Sequence, residues 1–161
     1  MEFSIRKMQE ADIKQVQDVA RMTWHATYEG IIPLAIQQRF LDSAYNDERM
    51  QRRMERSLLL VAETDERIVG FANFSRVNED GIAGLAAIYI YPEAQGNGIG
   101  SALLEQAITE LDGVKEIYVD VEKDNLSGLN FYESRNFKVT REFDDDFDGH
   151  ILKTVEMMLE V

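Results

Sequence analysis

The run IYIYPEAQGNGIGS occupies residues 88–101. An almost unbroken apolar stretch ends at Tyr91-Pro92, a short turn follows, and Gln95-Gly96-Asn97-Gly98-Ile99-Gly100 leads at Ser101 into the amphipathic SALLEQAITEL. Three glycines within five positions let the chain turn tightly and bring its N–H groups close to a ligand. A helix that begins there leaves its first N–H groups unpaired and carries positive partial charge. The stretch therefore predicts a strand, a turn and a helix, with a cradle for a diphosphate between them. A nucleoside-triphosphate loop ends in Gly-Lys followed by Ser or Thr, and no lysine stands here. A dinucleotide loop reads G-x-G-x-x-G, whereas this one reads Gly96-x-Gly98-x-Gly100, which weakens that reading even though Asp120 stands near the place of a ribose-binding acid. On the loop alone, a strand-to-helix turn that binds nothing remains open.

Context narrows the choice. The pattern Gln-x-x-Gly-x-Gly after a strand ending in Tyr-Pro resembles the acetyl-coenzyme A signature of the GNAT N-acetyltransferase superfamily. Downstream, NLSGLNFYESRNF at residues 125–137 resembles that family's N-x-x-(A/S)-x-x-F-Y-x-x-x-G-F segment. The two motifs cover roughly the C-terminal half of the chain, and the N-terminal half matches more loosely. The resemblance implies one mixed α/β (α+β) domain over residues 1–161, with helices flanking a central, mainly antiparallel sheet. That sheet splays between the strand ending at Tyr91 and the strand ending near Glu122, so that acetyl-coenzyme A wedges between them.

Composition sets outer bounds. At 161 residues the chain is long enough to bury a sizeable core of its own. No run approaches the ~18 consecutive apolar residues of a membrane helix, and no charged-then-apolar leader precedes Ile5, so a soluble, cytoplasmic protein is expected. The absence of cysteine excludes disulfides, thiolate metal sites and a cysteine acyl-enzyme, so acyl transfer would be direct. A net charge of −13, without a basic cluster, argues against nucleic acid as a partner. An acidic balance steers cationic amines and equally serves solubility.

Along the chain, residues 3–8 read as a strand, and a helix begins at Asp12-Ile13 with Ile13, Val16, Ala20 and Trp24 at helical spacing. Trp24 reads as core. Pro33 opens a second helix carrying Leu34, Phe40 and Leu41, and residues 46–56 form a charged helix with Met50 and Met54 facing inward. Residues 57–63 and 68–77 read as a hairpin around Thr64-Asp65-Glu66-Arg67. Residues 82–91, apolar on both faces, predict a central strand covered on both sides. A helix from Ile99 ends near Asp112-Gly113, residues 116–122 alternate as a strand, and a helix over 126–135 precedes strands near 137–143 and 150–159. Asp144-x-Asp146-x-Asp148-Gly149 imitates the first half of a calcium loop, but Val155 stands where a bidentate glutamate is required. An acidic hairpin tip is the better reading, and no metal is expected.

At neutral pH an amine with a pKa of roughly 8 to 10.4 must lose a proton before it attacks a thioester. The resemblance offers Asp120 as this base, with Glu122 in reserve on the same strand face. It implies cofactor contacts from Ile88, Tyr89 and Ile90 to the pantetheine and thioester, from Gln95, Gly96, Asn97, Gly98, Ile99, Gly100 and Ser101 to the diphosphate, and from Asn125. Tyr132 is implied as the acid for the departing thiolate. Transfer from a phenol near 10 to a thiolate near 8.5 runs uphill by roughly 2 kcal/mol, so hydrogen bonding to sulfur matters as much as full transfer. Tyr28 and Glu29 fall where the family walls its acceptor pocket, and His25 reads as structural. The loop departs from the family pattern in carrying no Arg or Lys, which leaves diphosphate binding to backbone donors and the helix dipole. Asn136 replaces the usual glycine before Phe137, a mild change because asparagine tolerates the left-handed region. The resulting expectation is acetyl transfer from acetyl-coenzyme A to a primary amine of a small molecule, polyamine-like in preference. A peptide or protein amine and a non-catalytic acetyl-coenzyme A-binding module are the alternatives. Neither membrane nor nucleic acid is an expected partner, and the family resemblance admits a homodimer.

Overall fold

The computed structural model describes residues 1–65 and 67–161, so Glu66 of the expected hairpin turn lies outside the described residues. Its strands are β1 (Ser4–Lys7), β2 (Leu58–Glu63), β3 (Ile68–Phe74), β4 (Ile82–Ile90), β5 (Glu116–Glu122), β6 (Lys138–Phe147) and β7 (His150–Glu160). The helices are α1 (Ile13–Tyr28), α2 (Leu34–Ala44), α3 (Asp47–Arg56), α4 (Ile99–Glu110) and α5 (Leu126–Ser134).

Local chemistry accounts for the helix starts. Pro33, with its φ pre-set, precedes α2 directly. Asn46 caps α3 by accepting the Arg49 N–H, and acids in its first turn and arginines in its last suit the helix dipole. The apolar stripe of α1, with Val16, Val19, Ala20 and Trp24 buried, turns that helix onto the sheet.

All seven strands join in the order β1-β2-β3-β4-β5-β7-β6. Every neighbouring pair is antiparallel except β4 and β5, which run parallel. Their pairing covers only Ile82↔Glu116, Ala83↔Ile117 and Gly84↔Tyr118, after which the strands part. This is the expected splay. Helices α1 and α4 lie on opposite faces: Trp24 Nε1 of α1 donates to the Tyr89 hydroxyl at 2.8 Å, while a Cβ on Gly100 of α4 would approach Ile90 Cδ1 at 3.5 Å. Tyr89 and Ile90 are adjacent in a strand and therefore point to opposite faces. Between the layers Leu60, Phe71, Phe74, Ile99, Leu103, Ile117 and Met157 are fully buried.

Several boundaries differ from the sequence expectation. β3 stops at Phe74, short of residue 77, and a register shift at Asn73/Phe74 accompanies its end. β4 is not covered on both sides along its length, for Ala86 is exposed and Ile88, Tyr89 and Ile90 are half-buried. Its apolar residues line the gap left by β5. β6 continues through the acidic run to Phe147, because its register with β7 runs unbroken from Arg141↔Glu156 to Phe147↔His150. The tip is therefore only Asp148-Gly149, both at positive φ, as a tight two-residue hairpin requires. No described helix is long and apolar enough to cross a membrane.

Candidate active site

Where β4 and β5 separate, a cavity of about 340 Å³ opens. Its wall includes Leu85, Ala87 and Tyr89 from one face of β4 and Ala86, Ile88 and Ile90 from the other, with Val119, Asp120 and Val121 of β5 opposite. Successive strand residues point to opposite faces, so a cavity touching both sets passes through the sheet. On the α1 side Trp24, Thr27 and Tyr28 close it. On the α4 side residues 94–96 and 98–100 do so, and Phe131 and Tyr132 of α5 with Arg135 just past its end add to the remaining wall.

The backbone of β4 offers donors to this gap. Tyr91 N–H donates to Val69 O of the neighbouring strand at 2.9 Å. Alternation carries the same direction to Tyr89 and turns the N–H and C=O of Ile88 and Ile90 toward the cavity. Gln95 Nε2 donates to the Ile90 carbonyl at 3.1 Å, on that same edge. The following loop is held by Asn97, whose Nδ2 donates to the carbonyls of Ala94 and Gln95 at 2.9 and 3.3 Å. Gly96 and Gly98 sit at φ +80° and +83°, where a side chain is strained, and a Cβ on either meets nothing within 4 Å. The loop thus presents an open backbone at the N-terminus of α4, a surface fit for an anionic group.

Tyr132 is buried against Phe131 and Phe137, with ring centroids 5.2 Å away in each case. Among the described residues its hydroxyl makes no hydrogen bond. Burial, and then the neighbouring phenols of Tyr89 and Tyr28, push its pKa well above that of free tyrosine. Tyr28 is raised likewise by burial, with Tyr89 and Glu122 adding to the shift and the Asn125 amide opposing it. Asn125 caps α5 by accepting the Gly128 N–H at 3.0 Å. Asp120 is raised by partial desolvation and then by the Glu156 carboxylate, its cross-strand neighbour on β7, against the counter-effect of Arg141.

Of the residues singled out in the sequence, Tyr28, Ile88, Tyr89, Ile90, Gln95, Gly96, Gly98, Ile99, Gly100, Asp120, Asn125 and Tyr132 meet around this cavity. Asn97 and Ser101 stand behind its wall, the first shaping the loop and the second accepting from Arg135. Three others lie elsewhere. Glu29 is exposed just past α1, outside the lining. Glu122 is buried and accepts the Asp124 N–H at 2.8 Å. His25 Nδ1 sits 2.9 Å from Gln37 Oε1, itself buried in the α1–α2 packing. Trp24 is core as expected, and it also walls the cavity, stacked on Phe40 at 4.3 Å. Asn136 adopts φ +71°, the left-handed conformation for which asparagine is suited. Asp144 pairs with Lys153, Asp146 accepts the Gly149 N–H and Asp148 pairs with Arg39, so the calcium-like spacing is spent on strand and hairpin contacts.

Sequence reasoning missed Thr27 and Arg135. Arg135 lies four residues after Phe131, so on a helix the two share a face, and that spacing was the available signal.

A sheet split at its parallel pair, an open glycine loop at a helix N-terminus and a passage between the faces define an acyl-coenzyme A-dependent transferase fold. The model of the Acetyltransferase (GNAT) family matches residues 18–137, and the chain belongs to that family. It is 30% identical over 157 residues to a spermidine N(1)-acetyltransferase of Thermoplasma acidophilum, covering 92% of this chain and 93% of that one. A peptidyl-lysine N-acetyltransferase of Salmonella typhimurium is 28% identical over 144 residues, covering 87% and 86%. The crystal structure of the PaiA N-acetyltransferase of Thermoplasma acidophilum in complex with coenzyme A superposes with a TM-score of 0.86 at 27% identity over 100% of both chains. The protein is accordingly an N-acetyltransferase with acetyl-coenzyme A as donor.

Proposed function

We propose that this chain, as one domain over residues 1–161 working in the cytoplasm, acetylates a primary amine of a small molecule, with polyamine-like acceptors preferred. The passage through the sheet carries this reading, because donor and acceptor can then meet from opposite faces. On the α1 side Phe147 stacks on Trp24 at 5.9 Å and lies 5.3 Å from Phe40, while Asp148 pairs with Arg39 at 2.6 Å. The β6–β7 tip is thus fastened across the helices that wall this side, which suits a slender acceptor better than a folded protein. The net charge of −13 favours a cationic one. The similarity to a spermidine acetyltransferase points the same way.

When bound, acetyl-coenzyme A supplies an acetyl thioester activated for attack. The N–H groups from Gly96 to Ser101 hold the diphosphate, and Asn125 adds a further contact to the cofactor. The Ile88 and Ile90 amides donate to the pantetheine and to negative charge developing on the acyl oxygen. Asp120 accepts the proton of the incoming ammonium; once the C–N bond has formed, the nitrogen sheds a second proton, which passes through water to the sulfur as the C–S bond breaks. The Tyr132 hydroxyl donates a hydrogen bond to the departing sulfur; its raised pKa makes complete proton transfer less favourable than hydrogen bonding.

Calorimetric titration with acetyl-coenzyme A, with NAD as the control, tests the donor. Saturable binding to the first alone is expected. Thiol release with spermidine and with a lysine peptide then tests the acceptor, and faster release with spermidine is expected. Release with the peptide alone would favour the protein-directed reading suggested by the Salmonella relative. Binding without release by any amine would leave a binding module.

The base has its own signature. A carboxyl whose pKa is raised in the folded protein regains its proton at a higher pH than an ordinary aspartate. kcat/KM should therefore decline as pH falls through that raised value. Asp120→Asn is expected to lower kcat/KM about tenfold at pH 7, a modest loss because bulk water reaches this exposed residue and takes up part of the proton transfer. It should also remove that limb of the profile. An unchanged limb in the variant would assign the base elsewhere.

A further inference from the structure

We propose that Arg135 is a phosphate-binding residue of this enzyme, supplying to coenzyme A the positive charge that the glycine loop lacks. The loop and the first turn of α4 carry no cationic side chain. Arg135, just past the end of α5, crosses the cavity wall to reach that turn: its Nε donates to Ser101 Oγ at 3.0 Å, and Nη2 donates to the same oxygen. Nη1 donates to the Phe131 carbonyl at 3.1 Å and to Ser134 Oγ at 2.7 Å. The guanidinium also lies 3.8 Å over the Phe131 ring.

Every one of these partners is neutral. Arg6, Arg21, Arg39, Arg52, Arg67 and Arg141 are each paired with a carboxylate. Among the described residues Arg135 has no such partner, in a chain where acids outnumber bases 30 to 17. It is held in place but not neutralised, and it borders the cavity beside Gly98 and Gly100. A guanidinium fixed in one orientation, next to a row of open backbone amides, complements a phosphate group with little ordering left to do. The inference rests on the donor assignment, since coenzyme A has two phosphate sources, its diphosphate and its ribose 3′-phosphate.

The test is the affinity of the full-length protein for coenzyme A, dephospho-coenzyme A and pantetheine, measured for the wild type and for Arg135→Gln. Coenzyme A affinity is expected to fall about 10-fold in the variant. Its dependence on salt should become shallower as well, which a loss of packing would not produce. Pantetheine, which carries no phosphate, should bind both proteins equally. An equal loss with dephospho-coenzyme A assigns the contact to the diphosphate; a loss confined to coenzyme A assigns it to the 3′-phosphate; either supports the proposal. Unchanged coenzyme A affinity overturns it. So does a parallel loss for pantetheine, which would make Arg135 a packing residue for α5. Failure of the wild type to bind coenzyme A would instead remove the donor assignment, and is thereby distinct. Arg135→Lys, which keeps the charge without the fork, should fall between the two.

Discussion

Tyr132→Phe is expected to lower kcat by about 10²- to 10³-fold, the range seen when one hydrogen-bond donor to developing negative charge is removed. Coenzyme A affinity should stay within about twofold. Phenylalanine keeps the ring that packs edge-on against Phe131 and Phe137, so the fold loses only a hydroxyl that has no hydrogen-bond partner among the described residues. The pH profile distinguishes two roles for that hydroxyl. Burial and the phenols of Tyr89 and Tyr28 raise its pKa, so it stays protonated across the working range. A raised phenol gives its proton to a thiolate near 8.5 even less readily than free tyrosine does. The contribution expected of it is then a hydrogen bond to sulfur, present at every pH below its pKa, and the variant's profile should drop in height without changing shape. A kcat within threefold of wild type would remove Tyr132 from the chemistry. A profile that changes shape below pH 9 would mean that its proton is transferred.

The fold was legible where one local feature forced one answer. Apolar β4, the glycine turn and the stripe of α4 follow from periodicity and from the backbone freedom of glycine, and the family resemblance added the splay. Periodicity reads one element at a time, so it could not show that β4 and β5 pair over only three positions or that Phe131 and Tyr132 of α5 line the opening beyond them. The acidic stretch 144–147 misled for a related reason. Its charges look like a loop, yet on an edge strand they face solvent and guard the edge against further pairing. The glycine-loop residues that line the cavity were readable because backbone conformation dictates them. The α1 wall was not: Trp24, Thr27 and Tyr28 share only helical spacing on α1, and Phe147 stacks on Trp24 from more than 100 residues away. Glu29 illustrates the limit, since one step along the chain from Tyr28 leaves the cavity altogether.

Gly100→Ala is expected to cost about 10²-fold in kcat/KM although it adds a single methyl group. Gly100 is helical, so backbone strain is not the cause. A Cβ there would stand 2.5 Å from Phe131 Cε1 and 2.8 Å from its Cζ, well inside contact distance. The ring cannot easily withdraw, because Arg135 lies 3.8 Å over it and Tyr132 meets it edge-on. The strain must pass to α5, shifting Tyr132 relative to the β4 amides, and a displacement of about 1 Å at reacting groups is worth about 10² in rate. Overpacking of this kind also lowers stability by about 1–3 kcal/mol, so thermal unfolding should be followed alongside. The double variant Gly100→Ala/Phe131→Leu separates the causes. A smaller, more pliable side chain at 131 relieves the contact, and kcat/KM should recover by at least tenfold over Gly100→Ala alone, a coupling expected only of residues in contact. If the single variant keeps wild-type kinetics, α5 has slack at this contact and the width of the cleft is set elsewhere. If it loses activity and the second substitution restores none, the lost function comes from the glycine loop itself and not from the seating of α5.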